Sequence, residues 1–171
     1  MRLCAVVAVA VVALSPIARA RADVDVALVR GAAVSPPDRV LVLKTERRLM
    51  LMRGDTVVRS YRVALGRNPH GHKQYSGDGR TPEGSYTLDG RNPASQYHLS
   101  MRVSYPNAYD AARANSLGAH PGGQIMIHGQ PNGYAGLRRG DWTEGCIAVS
   151  NRAMEEIWAS VAQGTRIEIL P

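Results

Sequence analysis

The sequence predicts a mainly β domain with one clear helix close to its C-terminal end. Three observations lead there. Seventeen glycines and ten prolines cut the chain into short pieces, which suits strands and turns better than long helices. Most of those pieces are short apolar or alternating runs bounded by turn residues, the pattern of strands. Only the segment that begins near Asn151 repeats its apolar residues at helical spacing.

Taken in order, residues 23–38 read as a linker ending in Ser35-Pro36-Pro37. Residues 40–43 and 49–52 are short apolar strands separated by Thr45-Glu46-Arg47-Arg48. Gly54-Asp55 is a turn signal, and residues 56–65 continue as a third strand, giving an antiparallel meander. Residues 66–84 form a long loop rich in Gly, Asn, Asp and Pro, the kind of segment that is usually functional when ordered. Residues 85–88 and 97–105 read as further strands, 109–115 as a possible short helix, and 124–128 (Gln-Ile-Met-Ile-His) as a strand running into Gly129. Met154, Ile157, Trp158 and Val161 then make one apolar helix face, with Asn151 as its N-cap and Gly164 as its stop. Residues 166–170 alternate and close the chain as a strand.

Composition narrows the function classes. The formal charge is +7, nearly all of it from arginine, since Lys44 and Lys73 are the only lysines. No dense basic run with interleaved aromatics accompanies it, so specific nucleic-acid recognition is not indicated. Phenylalanine is absent, and the core must be aliphatic, Met, Tyr and Trp. Arg2, the apolar run 3–14 and the small-x-small sites Ala18-Arg19-Ala20 and Ala20-Arg21-Ala22 make residues 1–22 an expected signal peptide, cleaved after Ala20 or Ala22. That apolar run falls short of the ~20 residues a spanning helix needs. Export follows as an expectation. Removing the leader removes Cys4, which leaves Cys146 as a lone thiol in an oxidising compartment. The domain proper is then residues 39–171.

A lone cysteine is ordinarily a small buried hydrophobe, and a lone histidine ordinarily a satisfied structural one. Here the two stand in context: Ile125-Met126-Ile127-His128-Gly129, and Asp141-Trp142-Thr143-Glu144-Gly145-Cys146-Ile147-Ala148-Val149. A thiol attacks well only as thiolate, and a neighbouring imidazole raises that fraction. Cys146 is therefore the candidate nucleophile and His128 its base. Gly145 and Gly129 are candidates for close backbone approach and for aiming N–H groups at an oxyanion. The group orienting the imidazole is either backbone near Gly129 or Asp141. Thr143, Trp142, Arg138 and Arg139 are candidate substrate contacts, Trp142 being equally suited to packing the loop. His70, His72 and His120 lack a carboxylate or second cysteine at ligand spacing, so no metal site is expected.

The pairing of a strand-end His128-Gly129 with Thr143-Glu144-Gly145-Cys146-Ile147 resembles the L,D-transpeptidase catalytic domain, the YkuD family. The resemblance runs from about Arg39 to Pro171 and includes Leu65-Gly66 and the Gly77-Asp78…Thr81-Pro82-Glu83-Gly84 segment. It implies an L,D-transpeptidase-type β-sandwich with long loops around the site. It also implies acylation of Cys146 by a peptidoglycan stem tetrapeptide with loss of D-Ala, then transfer to an amine, with no cofactor. Two positions depart from the commonest members, which carry histidine where Glu144 stands and arginine where Ala148 stands. The departures resemble a subgroup that includes an enzyme hydrolysing the lipoprotein–peptidoglycan link, a resemblance that implies the periplasm; they remove the usual carboxylate contact, for which Arg138 or Arg139 is the candidate replacement. The alternatives are a thiol amidase of the same fold, with a wall-linked lipoprotein as partner, and an inactive wall-binding module.

Overall fold

A computed structural model describes residues 35–171. The expected signal peptide and most of the expected linker lie outside the described residues. Eight strands and two helices follow in the order β1 (Arg39–Leu43), β2 (Arg48–Arg53), β3 (Thr56–Arg62), β4 (Gly84–Ser95), β5 (His98–Val103), α1 (Ala108–Ser116), β6 (Met126–His128), β7 (Ile147–Ala148), α2 (Asn151–Ser160) and β8 (Arg166–Leu170). The mainly β expectation is met, and the possible short helix at 109–115 forms as α1. No helix among the described residues is long and apolar enough to cross a membrane.

The strands pair in the order β3-β2-β1-β8-β4-β5-β6-β7. The meander of β1, β2 and β3 forms as expected, and the final strand β8 inserts parallel to β1, with Val40 opposite Ile167 and Val42 opposite Ile169. All four of these side chains are fully buried. Strand β4 joins the two halves: residues 84–87 pair with β8, and residues 88–95 pair with β5 across two register shifts. Bulges of this kind bend a strand, and the two halves enclose one apolar core that holds Leu51, Leu88, Met101, Ile127, Ile147 and Ile169 together. Beyond β3 the chain returns to β7 through an isolated bridge, Ala64 opposite Ala148, and a second bridge joins Gly66 to Thr143. The two ends of the strand order therefore meet beside the cysteine.

Several boundaries differ from those read in the sequence. Strand β4 runs well past residue 88, through Asp89-Gly90-Arg91-Asn92-Pro93, which looks like a turn in isolation. The third strand stops at Arg62 instead of residue 65, and β6 begins only at Met126, because Gln124 takes a left-handed conformation (φ 57°). The N-cap of α2 is Ser150, whose side chain accepts from the Ala153 amide, not Asn151. The helix ends at Ser160, and Gly164 (φ 89°) shapes the turn into β8. Helix α1 carries a full capping box between Asn107 and Asp110. Its apolar stripe is weak, and that capping box supplies the start signal instead.

Candidate functional site

Strands β6 and β7 are parallel neighbours, with Ile127 opposite Ile147 and His128 opposite Ala148. His128 closes the first of these strands, and Cys146 stands immediately before the second. Both side chains line one cavity of about 690 Å³ together with Tyr97, Met126, Arg138 and Trp142. The sequence-read pair is thus brought together by the register of two very short strands.

The turn carrying Cys146 is tied from several sides. Thr143 is buried; its amide donates to Leu65 O (3.0 Å), and its carbonyl accepts from Arg67 N (2.9 Å). Its hydroxyl donates to Cys146 O (2.7 Å) and accepts from Gly145 N (3.1 Å). The Thr143 side chain therefore shapes the turn and has little left for a substrate. Gly145 has φ 125°, and a Cβ there would stand 2.6 Å from the Arg80 carbonyl oxygen, so only glycine fits. The amides expected to face an oxyanion are already engaged: Gly145 N–H by Thr143, and Gly129 N–H by Tyr97 O at 3.0 Å. The Cys146 sulfur lies 3.4 Å from Gln124 O.

His128 is 4 % exposed. Its Nδ1 lies 2.7 Å from Gly129 O. A carbonyl only accepts, so Nδ1 carries the hydrogen and Nε2 keeps its lone pair. Backbone, not Asp141, thus orients the imidazole. Asp141 is bound to Arg47 (2.8 Å to Nη2) and accepts from Leu65 N (2.9 Å). The imidazole packs against Tyr97, with centroids 4.6 Å apart, and meets Trp142 edge-on at 5.7 Å. Arg138 covers the Trp142 ring at 4.4 Å. Trp142 both lines the cavity and packs the loop. Arg139 does not reach this cavity and lines a neighbouring one.

Burial holds His128 below the usual imidazole range, partly opposed by its bond to Gly129. Burial likewise pushes the Cys146 thiol up, opposed by the Met126 amide and the Lys73 charge. The resting pair is therefore neutral thiol and neutral imidazole. A histidine with a depressed folded pKa destabilises the fold in acid, because the unfolded chain takes the proton first. Stability should accordingly fall as pH drops below about 6.5, the unperturbed histidine value. Urea midpoints of the parent chain and of His128→Gln, measured through this window, should show a shallower decline in the variant; parallel declines would contradict the assignment.

Gln130 and Lys44, near the site, were not singled out by sequence. Gln130 is buried; its amide group donates to Val149 O (2.6 Å), and its oxygen accepts from Arg138 N (2.9 Å). It fastens the loop that follows His128. Lys44 is also buried, with Nζ donating to Gly71 O (2.6 Å), Thr81 O (2.9 Å) and Glu83 (2.8 Å). Burial lowers its pKa, opposed by Glu83. His72 accepts from Glu83 N (3.0 Å) and lies 3.1 Å from Asp110, while His120 accepts from Gly122 N (3.0 Å). The long 66–84 loop is thereby an ordered wall, and its Arg80 backbone abuts Gly145. Only the Gly/Pro density of that loop hinted at this. Glu144 pairs at the surface with Arg67.

This arrangement defines a class of protein. Residues 37–169 match the YkuD model, the L,D-transpeptidase catalytic domain, and the chain belongs to that family. It is 30% identical over 104 residues to YafK of Escherichia coli (strain K12), a protein carrying an L,D-transpeptidase name; the match covers 60% of this chain and 36% of YafK. The chain thus spans about a third of that relative's length. Among solved structures it is similar to the helical cell shape determining protein Pgp2 from Campylobacter jejuni, with TM-score 0.62 and 27% identity over 80% of this chain and 48% of that one. It is also similar to Bd1075 of Bdellovibrio bacteriovorus, with TM-score 0.54 and 26% identity over 80% and 48% of the two chains.

Proposed function

We propose that this domain is a cysteine acyltransferase of the bacterial wall, acting as a peptidoglycan L,D-transpeptidase outside the cytoplasmic membrane. The observation that carries the reading is the shared cavity: His128, with Nε2 free, and Cys146 face it from the ends of adjacent strands. The family membership and the similarity to Pgp2 supply the substrate class.

The chemistry follows from the resting charges. His128 Nε2 takes the Cys146 proton as the sulfur attacks the carbonyl of the L-centred diamino acid at the third position of a stem tetrapeptide. The amide C–N bond breaks, D-Ala leaves with the proton held by the imidazole, and a thioester remains. An amine from a second stem then attacks the thioester and restores the thiol. Keeping the pair neutral until substrate arrives protects the thiol from oxidation, since susceptibility follows thiolate character.

Intact-protein mass tests this directly. Chain mixed with tetrapeptide muropeptides should gain the mass of the tripeptide acyl group and produce cross-linked dimers, and Cys146→Ala should do neither. Tripeptide release without dimers would instead make it a hydrolase of the same fold. No mass change together with a thiol inert to iodoacetamide would leave a wall-binding module.

A further inference from the structure

We propose that Lys73, locked behind the thiol turn by Asp78, is a positioning residue for the acyl transfer, its buried charge stabilising the Cys146 thiolate as it forms. This role presupposes the acyl-transfer reading above. The Lys73 and Asp78 side chains are 3 % and 4 % exposed and pair at 2.8 Å. Asp78 also accepts from the amides of Gln74 (2.7 Å), Tyr75 (3.3 Å) and Arg80 (3.0 Å). Lys73 Nζ donates a second bond to Tyr75 O (3.1 Å). One ammonium and one carboxylate thus tie residues 73–80 into a closed loop. That loop is pressed against the nucleophile's turn. A Cβ on Gly145 would stand 2.6 Å from Arg80 O, and a Cβ on Gly66 would stand 2.1 Å from Gly79 O and 3.1 Å from Gly145 Cα. On its other side Ser76 N donates to His120 O (2.8 Å), in the stretch that leads to Gln124. The Gln124 carbonyl in turn lies 3.4 Å from the Cys146 sulfur. Lys73 is therefore held between the segment that carries the thiol and the segment that touches it.

Stability alone does not account for this pair. Three amides satisfy Asp78 without a cation, and apolar residues of similar volume often replace a buried ion pair at no loss. The chain has two lysines and otherwise draws its cations from arginine. Lys44 is spent on Gly71 O, Thr81 O and Glu83, so Lys73 is the one lysine set behind the thiol turn. An ammonium is a compact point charge, where a guanidinium spreads its charge over a planar fork. Burial works against ionisation of Cys146, and the Lys73 charge is one of the influences that offset it, beside the Met126 amide. A fixed cation in a poorly solvated site acts more strongly than one in water. Its benefit is greatest when the proton has passed to His128 and the sulfur carries the negative charge. The Gly77-Asp78-Gly79-Arg80 stretch thereby gains a use: it aims a charge at the sulfur from the side opposite the substrate cavity's mouth, where Arg67 and Glu144 pair with each other.

The test is the pH profile of Cys146 alkylation by iodoacetamide, read by peptide mass in the full chain, Lys73→Met and Lys73→Arg. Methionine keeps the volume and loses the charge; arginine keeps the charge and strains the fit. His128, Tyr97, Arg138 and the Arg67–Glu144 pair face the same cavity in every variant, so a displaced profile reads Lys73. Lys73→Met should move the midpoint up by about one pH unit, about tenfold in rate at neutral pH, and Lys73→Arg should stay near the parent. Should Lys73→Met fail to fold, Lys73→Met/Asp78→Asn buries no charge and should show the same upward move. With a stem tetrapeptide as probe, Lys73→Met should lower the maximal acylation rate by about tenfold and leave the half-saturating concentration nearly unchanged. A Lys73→Met or double-variant profile that coincides with the parent's, or a Lys73→Arg profile displaced as far as that of Lys73→Met, would overturn the proposal and leave the acyl-transfer reading intact. A parent thiol that alkylates but is never acylated by the tetrapeptide would instead remove the reading on which the proposal stands.

Discussion

A chain carrying His128→Ala should acylate about 100- to 10,000-fold more slowly than the parent, the usual cost of losing a positioned general base. Burial holds the Cys146 thiol above its ordinary range, so little thiolate exists without a base to take the proton. The variant should recover part of its rate as pH rises toward the thiol's own ionisation, and the gap to the parent should narrow there. A time course of acyl-enzyme mass at several pH values reads both effects. Equal rates for parent and variant at neutral pH would remove His128 from the mechanism.

The Cys146–His128 pair was legible in the sequence because each half sits in a local pattern: an apolar strand ending in His-Gly, and a Thr-x-Gly-Cys turn before another apolar run. The short apolar run that carries Val40 and Val42 and the helical spacing of Met154, Ile157 and Val161 were equally local, and the structure buries all five. What escaped depends on distance in the chain. Arg47 and Asp141 are 94 positions apart, and no spacing rule joins them, so Asp141 stood as a candidate partner for His128 until the fold supplied a nearer cation. Tyr97, in the turn between β4 and β5, packs against His128 across a long stretch of chain and escaped for the same reason. Strand β4 was cut short because Gly90 and Pro93 read as breakers; its register shifts accommodate them. The oxyanion role assigned to the Gly145 amide overlooked Thr143, whose hydroxyl reaches it only in the folded turn.

Gly145→Ala should cost the domain about 3 kcal/mol or more, combining the strain of a positive φ with overpacking against rigid backbone. The added methyl would meet the Arg80 carbonyl at 2.6 Å, and the same turn carries the nucleophile. Thermal or urea unfolding should show the loss, and any folded fraction should label slowly with a peptide substrate because Cys146 is displaced. Gly77→Ala is the control: its φ is 84°, but nothing lies within 4 Å of the added carbon. It should lose only the conformational part, about 1 kcal/mol, and keep its acylation rate. Equal losses in the two variants would mean that the contact with the 66–84 wall contributes nothing.

The place of β8 between β1 and β4 has a consequence for the order of events during synthesis. The last strand made is the one that joins the first hairpin to the rest of the sheet. A chain emerging from its N-terminal end can form β1–β3, and later β4–β7, but each remains an open fragment with an unpaired edge until residues 166–170 are free. Completion of the domain is therefore a late and nearly simultaneous step, and the thiol turn, paired with β6 on one side of that seam and bridged to Ala64 and Gly66 on the other, is assembled with it. A polypeptide from which residues 166–170 have not yet emerged would hold Cys146 in a disconnected segment, so the reactive centre comes into being only with the closing strand.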